Sequence, residues 1–305
     1  MKFGIVIPLH RDVNALVNLE LAIKAEMLGF DSIWISDHVV LPTKYEGRFS
    51  KVLYDPFVLL ASIAAKTKKI SLGTSVLILP YRNPIVVAKM VSTIDVLSDG
   101  RVIFGVGPGW MEEEFDVLGI PFNERGKRAD EYINIFKELW VKDEPQFDGE
   151  FYSFSKIRFY PKPIQKPHPP IWIGGISKRA IARAVELGDG WHPVWLGPDQ
   201  MEEKIGYLRR VAEEKKRNLD NFVFSIRSRL RILKTTEVKK PDFSESRGEY
   251  TFSFHGTIEE IIHKVRQFES IGVSHIMFDL DVEDDNEMFK TIEQFSKDIM
   301  PSLRK

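Results

Sequence analysis

Phe30-Asp-Ser-Ile-Trp-Ile-Ser-Asp-His38 follows Gly29, which closes a helix, and opens as a strand with Ile33, Trp34 and Ile35 in a row. It ends on three polar residues, Ser36, Asp37 and His38. In a parallel barrel every strand points its C-terminal end at one rim, where catalytic groups collect. An acid beside an imidazole at such a rim is the most reactive pairing in the chain. The alternative is a buried aspartate that caps a loop and fixes its neighbour, since structural pairs also perturb pKa.

Outward from this stretch the same unit repeats. Phe3 to Pro8 reads as a buried strand, and Asn14 to Leu28 as a helix with Leu16, Leu19, Ile23 and Leu28 at 3–4 spacing. Asp55-Pro56 and Asn83-Pro84 each open a further helix, with proline at the first helical position. Strands are expected at Ser32–Ser36, Ile70–Leu79, Val102–Val106, Ile171–Ile173, a short piece reaching Val194, Phe222–Leu233 and Ser274–Leu280. Eight strand–helix units with short returns predict an α/β chain closed into a (β/α)8 TIM barrel with insertions in the rim loops. An open doubly wound sheet is the rival. One domain over 1–305 is expected, with a hairpin-like insertion at 147–169 leading into a proline-rich connector and an irregular excursion at 234–255. The acidic segment Met111 to Asn123 reads as a loop, and Thr257-Ile-Glu-Glu260 as a capping box.

Composition narrows the chemistry. The 305 residues are 43% hydrophobic and 29% charged, with a net charge of -1 and no basic stripe, so nucleic acid is not an expected partner. There is no cysteine, which excludes a thiol nucleophile and cysteine metal sites. No apolar run reaches the ~18 residues of a membrane helix, and no signal peptide is visible. A soluble cytoplasmic protein is the expectation. The histidines form no HxH or HExxH spacing, and no metal site is expected. A metallohydrolase built on His38, His192 and Asp37, with His10 as a further candidate ligand, stays open as a minor reading.

Sorted by rim, the strand ends carry Pro8-Leu9-His10, Ser36-Asp37-His38, Ser75-Val76, Gly107-Pro108-Gly109-Trp110, Gly174-Gly175-Ile176-Ser177 and Trp191-His192-Pro193-Val194. The turn at Gly174 to Ser177, followed by Lys178 and Arg179, fits an anion cradle at a helix N-terminus, or simply a tight strand-to-helix connection. Trp110, Trp191, Trp195 and Ile176 offer aromatic and apolar surface suited to a flat conjugated ring.

These motifs together resemble the bacterial luciferase-like (β/α)8 oxidoreductases, and within them the branch using the deazaflavin coenzyme F420. The matching pieces include FGIVIP, FDSIWISDH, ISLGTSVLILPYRNP, GRVIFGVGPGWMEEEF, NERGKRADEYI and PPIWIGGISKRAIARAVELGDGW, in family order along nearly the whole chain. The resemblance implies F420 as cofactor and a small-molecule substrate, with an FMN-dependent two-component monooxygenase as the alternative and a flavin-binding protein without catalysis as a lesser one. It implies a non-proline cis peptide at Ser75-Val76 propping the cofactor ring, and Asp37 bonded to ring polar atoms. It implies His38 on the substrate side as proton donor or positioner. Gly107, Pro108 and Gly109 would line the ring and ribityl chain. Gly174, Gly175, Ile176 and Ser177, with Trp191, His192, Pro193 and Val194, would hold ribityl and phosphate. Trp110 stands where some sugar-phosphate dehydrogenases of the family carry a catalytic glutamate; it cannot take a proton, and Glu112 or Glu113 would replace it only by folding inward. Family members are often dimers, so a homodimer is expected.

Overall fold

The computed structural model describes residues 1–234, 243–246 and 249–304. Eight parallel strands close on themselves. They are β1 (Lys2–Val6), β2 (Ser32–Ile35), β3 (Ser71–Thr74), β4 (Val102–Gly107), β5 (Ile171–Gly174), β6 (Gly190–His192), β7 (Val223–Ile232) and β8 (His275–Leu280). Each pairs with the next, and β8 pairs back to β1 through Lys2↔His275 to Val6↔Asp279. This is the (β/α)8 barrel expected from the alternation. Beyond Thr74 the chain kinks and resumes as Leu77–Ile78, which pairs with Val106 and Gly107 of β4.

Local chemistry starts the helices where the sequence places them. The side chains of Asn14, Asp55 and Asn83 each accept a backbone N–H from the first turn of the helix that follows, and Pro56 and Pro84 need no donor there. Thr257 and Glu260 form the reciprocal capping box.

The barrel interior is filled, not open. Trp34 stacks on Trp172 at 5.3 Å and on His192 at 5.2 Å, and Val6 and Met277 complete the cluster. Gly73 is required here, because a Cβ on it would lie 2.1 Å from the Trp34 ring. His192 and His275 are also interior and fully enclosed; burial pushes each imidazole down to about 3. They stay neutral and bond hydroxyls, His192 with Ser75 and Ser225, and His275 with Ser32.

Two segments differ from expectation. Residues 111–123 are not a loop: Glu112–Val117 is helical, its three glutamates sitting in the first turn where the helix dipole favours anions. Within 234–255, residues 235–242 and 247–248 lie outside the described residues. The rest is regular. Phe243–Ser246 pairs antiparallel with Glu249–Gly256, which then runs parallel to the last residues of β7. Phe252 and Phe254 alternate with Ser253 and His255, and both rings bury against Phe268. The 147–169 segment does carry a short hairpin, Phe147–Asp148 with Ser153–Phe154. Among the described residues no helix is long and apolar enough to cross a membrane.

Candidate active site

The C-terminal strand ends converge on one mouth. At its centre, the Ser75-Val76 peptide is cis, at the break in β3. Val76 is half-buried, and its side chain projects between the ends of β4 and β5. Gly107 and Gly174 make that possible: a Cβ on either would come within 2.9 Å of a Val76 methyl. The result is a small apolar knob flanked by bare backbone.

A polar network holds the knob from below. Arg227 donates from Nη1 to the Ser75 carbonyl at 2.5 Å and to the Ser75 hydroxyl at 3.1 Å. Its Nε and Nη2 donate to both oxygens of Asp279, at 2.8 and 2.6 Å. The Ser36 hydroxyl donates to the same carbonyl at 3.2 Å, and His192 bonds the Ser75 hydroxyl at 2.8 Å. Arg227 was not singled out from sequence, where Phe222–Leu233 reads only as a strand.

His38 lies at the edge of the mouth, nearly buried. Its Nδ1 is 2.8 Å from Oε2 of Glu114, which is fully buried. Glu114 also accepts the Tyr81 hydroxyl at 2.8 Å and the backbone N–H groups of Val39 and Val40 at 2.6 and 3.1 Å. Burial pushes its carboxyl up, but His38, the Tyr81 hydroxyl and the Val39 N–H outweigh that and hold it below the usual carboxylate range. An ionised carboxylate only accepts, so His38 Nδ1 carries the hydrogen. Among the described residues Nε2 makes no hydrogen bond, and it is the nitrogen open to proton traffic. The structure therefore places Glu114, and not Glu112 or Glu113, inward; Glu112 is exposed and Glu113 pairs with Lys44.

Asp37 is held by protein partners. Its Oδ2 accepts the Ile78 N–H at 2.9 Å and Arg82 Nη1 at 2.7 Å, and its Oδ1 accepts Arg82 Nη2 at 2.9 Å. It is 2% exposed. These oxygens tie β2 to the turn after the β3 kink and face protein, not the mouth. Burial pushes the Asp37 carboxyl above its usual value, opposed by Arg82 and the Ile78 amide.

Trp110 is 40% exposed and meets His38 edge-on at 6.2 Å and Tyr45 at 5.7 Å. Phe49 adds a third ring, 5.4 Å from His38. Together they form an aromatic wall. Pro108 is half-buried, while Gly109 packs against Ile78 and Phe115, away from the centre of the mouth. On the opposite side, Gly175 and Ser177 are exposed, with Ile176 half-buried between them. Ser177 caps the helix Lys178–Leu187 by accepting the Ala180 N–H at 3.2 Å. That leaves the amides of Lys178 and Arg179 in the first turn for an anion. Trp191 and His192 have no exposed surface; Trp191 donates to the Gly175 carbonyl at 2.8 Å and supports the turn from behind. Pro193 is buried and Val194 half-buried. Arg183, further along the same helix, pairs with Asp130. Among the described residues no three His, Asp or Glu side chains gather closely enough to hold a metal ion.

Comparison with known proteins places this geometry. A family model described as luciferase-like monooxygenase matches residues 1–240. An F420-dependent glucose-6-phosphate dehydrogenase of Amycolatopsis mediterranei is 28% identical, with 94% of each chain aligned. The oxygenase component of a flavin-dependent trigonelline monooxygenase of Acinetobacter baylyi is 30% identical over 64% of this chain and 53% of its own. A solved F420-dependent secondary alcohol dehydrogenase, bound to an F420–acetone adduct, superposes with a TM-score of 0.81 at 20% identity. That match covers 100% of this chain and 99% of the other, and it shows the shared fold.

Proposed function

This chain belongs to the luciferase-like monooxygenase family, whose members here are F420- or FMN-dependent oxidoreductases, and from that premise we propose that it transfers hydride between F420 and a small organic substrate. The observation that carries the reading is the knob at Val76, standing between the side-chain-free ends of β4 and β5. A flat heterocycle rests on such a surface with its lower face supported and its upper face open. The residues present fit the rest of the group. The first turn of Lys178–Leu187, with exposed Lys178 and Arg179, suits its phosphate and the acidic chain beyond. Bound there, the deazaflavin supplies hydride transfer at its C5 carbon.

The chain's own residues do the remainder. Trp110, Phe49 and Tyr45 wall the substrate and exclude water. His38 moves one proton at Nε2, and Glu114 holds the ring by Nδ1. F420 is preferred to FMN because the F420-dependent relative aligns over 94% of each chain, whereas the flavin-dependent one aligns over about half of its own length. The FMN reading, a two-component monooxygenase using reduced flavin and oxygen, is the alternative. Titrating the purified protein with F420 and with FMN, read by tryptophan fluorescence, separates them. Tighter binding of F420 supports the proposal; tighter binding of FMN transfers it to the alternative, and binding of neither overturns both.

A further inference from the structure

Strand β7 carries Arg227, Arg229 and Arg231 at alternate positions, so all three share one face of the barrel wall. That face is interior: Ser225 on it bonds His192, and Arg227 bonds Ser75 and Asp279. Arg227 is neutralised by Asp279. Asp279 stands opposite Arg229 in the β7–β8 ladder, yet both of its oxygens turn to Arg227. Arg229 and Arg231 are half-buried and, among the described residues, have no ion pair or hydrogen bond from their side chains. Arg231 stands opposite His255 in the neighbouring strand, and His255 faces Asp281 at 3.2 Å. His10, in the loop after β1, shares this corner. Crowding by surrounding atoms pushes its imidazole down, against the pull of Asp279, and Arg227 and Arg229 add to the push.

A half-buried guanidinium with neither an ion pair nor a hydrogen bond has its partial desolvation uncompensated. Two on one face make a local positive surface, and the guanidinium fork matches a carboxylate or phosphate by paired hydrogen bonds. The aromatic wall of Trp110, Phe49 and Tyr45 also borders the mouth. We propose that Arg229 and Arg231 form an anion-binding wall of the mouth, and that the substrate has an apolar or aromatic body ending in a carboxylate or phosphate. The inference rests on the mouth being the substrate site, as proposed above. The glutamyl chain of F420 has the same chemistry, so the test separates the two sources.

The whole protein, without cofactor, is titrated with phenyl phosphate and with benzyl alcohol, read by quenching of tryptophan fluorescence. Phenyl phosphate is expected to bind more tightly by about tenfold or more, and to weaken as salt rises. Arg229→Gln should remove about that factor for phenyl phosphate and leave benzyl alcohol unchanged, while Arg229→Lys retains part of it. Unchanged melting curves identify variants that fold. Equal binding of the two probes, or no effect of Arg229→Gln, overturns the proposal. So does an Arg229→Gln variant that loses affinity for F420, keeps it for a deazaflavin lacking phosphate and glutamates, and binds phenyl phosphate normally; the wall then serves the cofactor. A wild-type protein that binds F420 but shows no preference for phenyl phosphate overturns the anion wall alone and leaves the oxidoreductase reading standing.

Discussion

Glu114 Oε2 lies 2.8 Å from His38 Nδ1, a contact between residues 76 positions apart in the chain. The carboxylate fixes which ring nitrogen carries hydrogen and leaves Nε2 toward the mouth. Two substitutions follow. His38→Asn should lower turnover by a factor on the order of 10²–10⁴ with cofactor affinity largely kept. Glu114→Gln should give an intermediate loss, at least about tenfold, because the amide no longer enforces the tautomer. Steady-state kinetics beside cofactor titration checks both; intact turnover in His38→Asn would remove His38 from proton transfer.

Asp37 and Arg82 predict a stability effect instead. Asp37→Ala leaves a mostly buried guanidinium with only Asp55, at 2.9 Å, and frees the Ile78 amide. A loss of about 3 kcal/mol is expected, since breaking one partner of a buried pair leaves the other uncompensated. Urea unfolding measures it.

The two interior histidines set a pH dependence. Each takes a proton near 6.5 when unfolded and only near 3 when folded, because burial opposes the charge. Between those values the unfolded chain binds more protons, so stability is full above pH 6.5 and falls as pH drops towards 3. The limiting slope is about 1.4 kcal/mol per pH unit for each histidine. His275→Gln should flatten the decline, as read from midpoints of denaturant unfolding across that range.

Much of this was legible in the sequence. The apolar strand runs, the 3–4 spacing of helical residues and the Asn-Pro and Asp-Pro starts mark the barrel units, because local chemistry sets them. The rim residues of β2 to β5 follow from the parallel topology. What escaped were contacts across the sequence. Nothing near Asp37 says that Arg82 occupies its oxygens, and nothing in Glu112-Glu-Glu114 says which acid turns inward; the helical phase of a six-residue segment decides that. Trp191 and His192 look like mouth residues by position, but the parity of a three-residue strand puts one outside the wall and the other inside the floor. The pattern Phe252, Phe254 is a strand signal, hidden by the polar residues around it.

Gly73 tests the floor. Gly73→Ala brings a methyl into the Trp34 ring, 2.1 Å from its nearest carbon before relaxation. Overpacking of this kind costs about 1–3 kcal/mol. Thermal unfolding should show it, with the double variant Gly73→Ala, Trp34→Phe recovering part of the loss.

The central claim is that Val76 is the seat of a planar cofactor ring. A crystal structure with F420 bound tests it most directly. The ring face should lie in van der Waals contact with the Val76 side chain, about 3.5–4.0 Å away, with the phosphate at the first turn of Lys178–Leu187. A ring bound elsewhere, with Val76 untouched, would contradict the account.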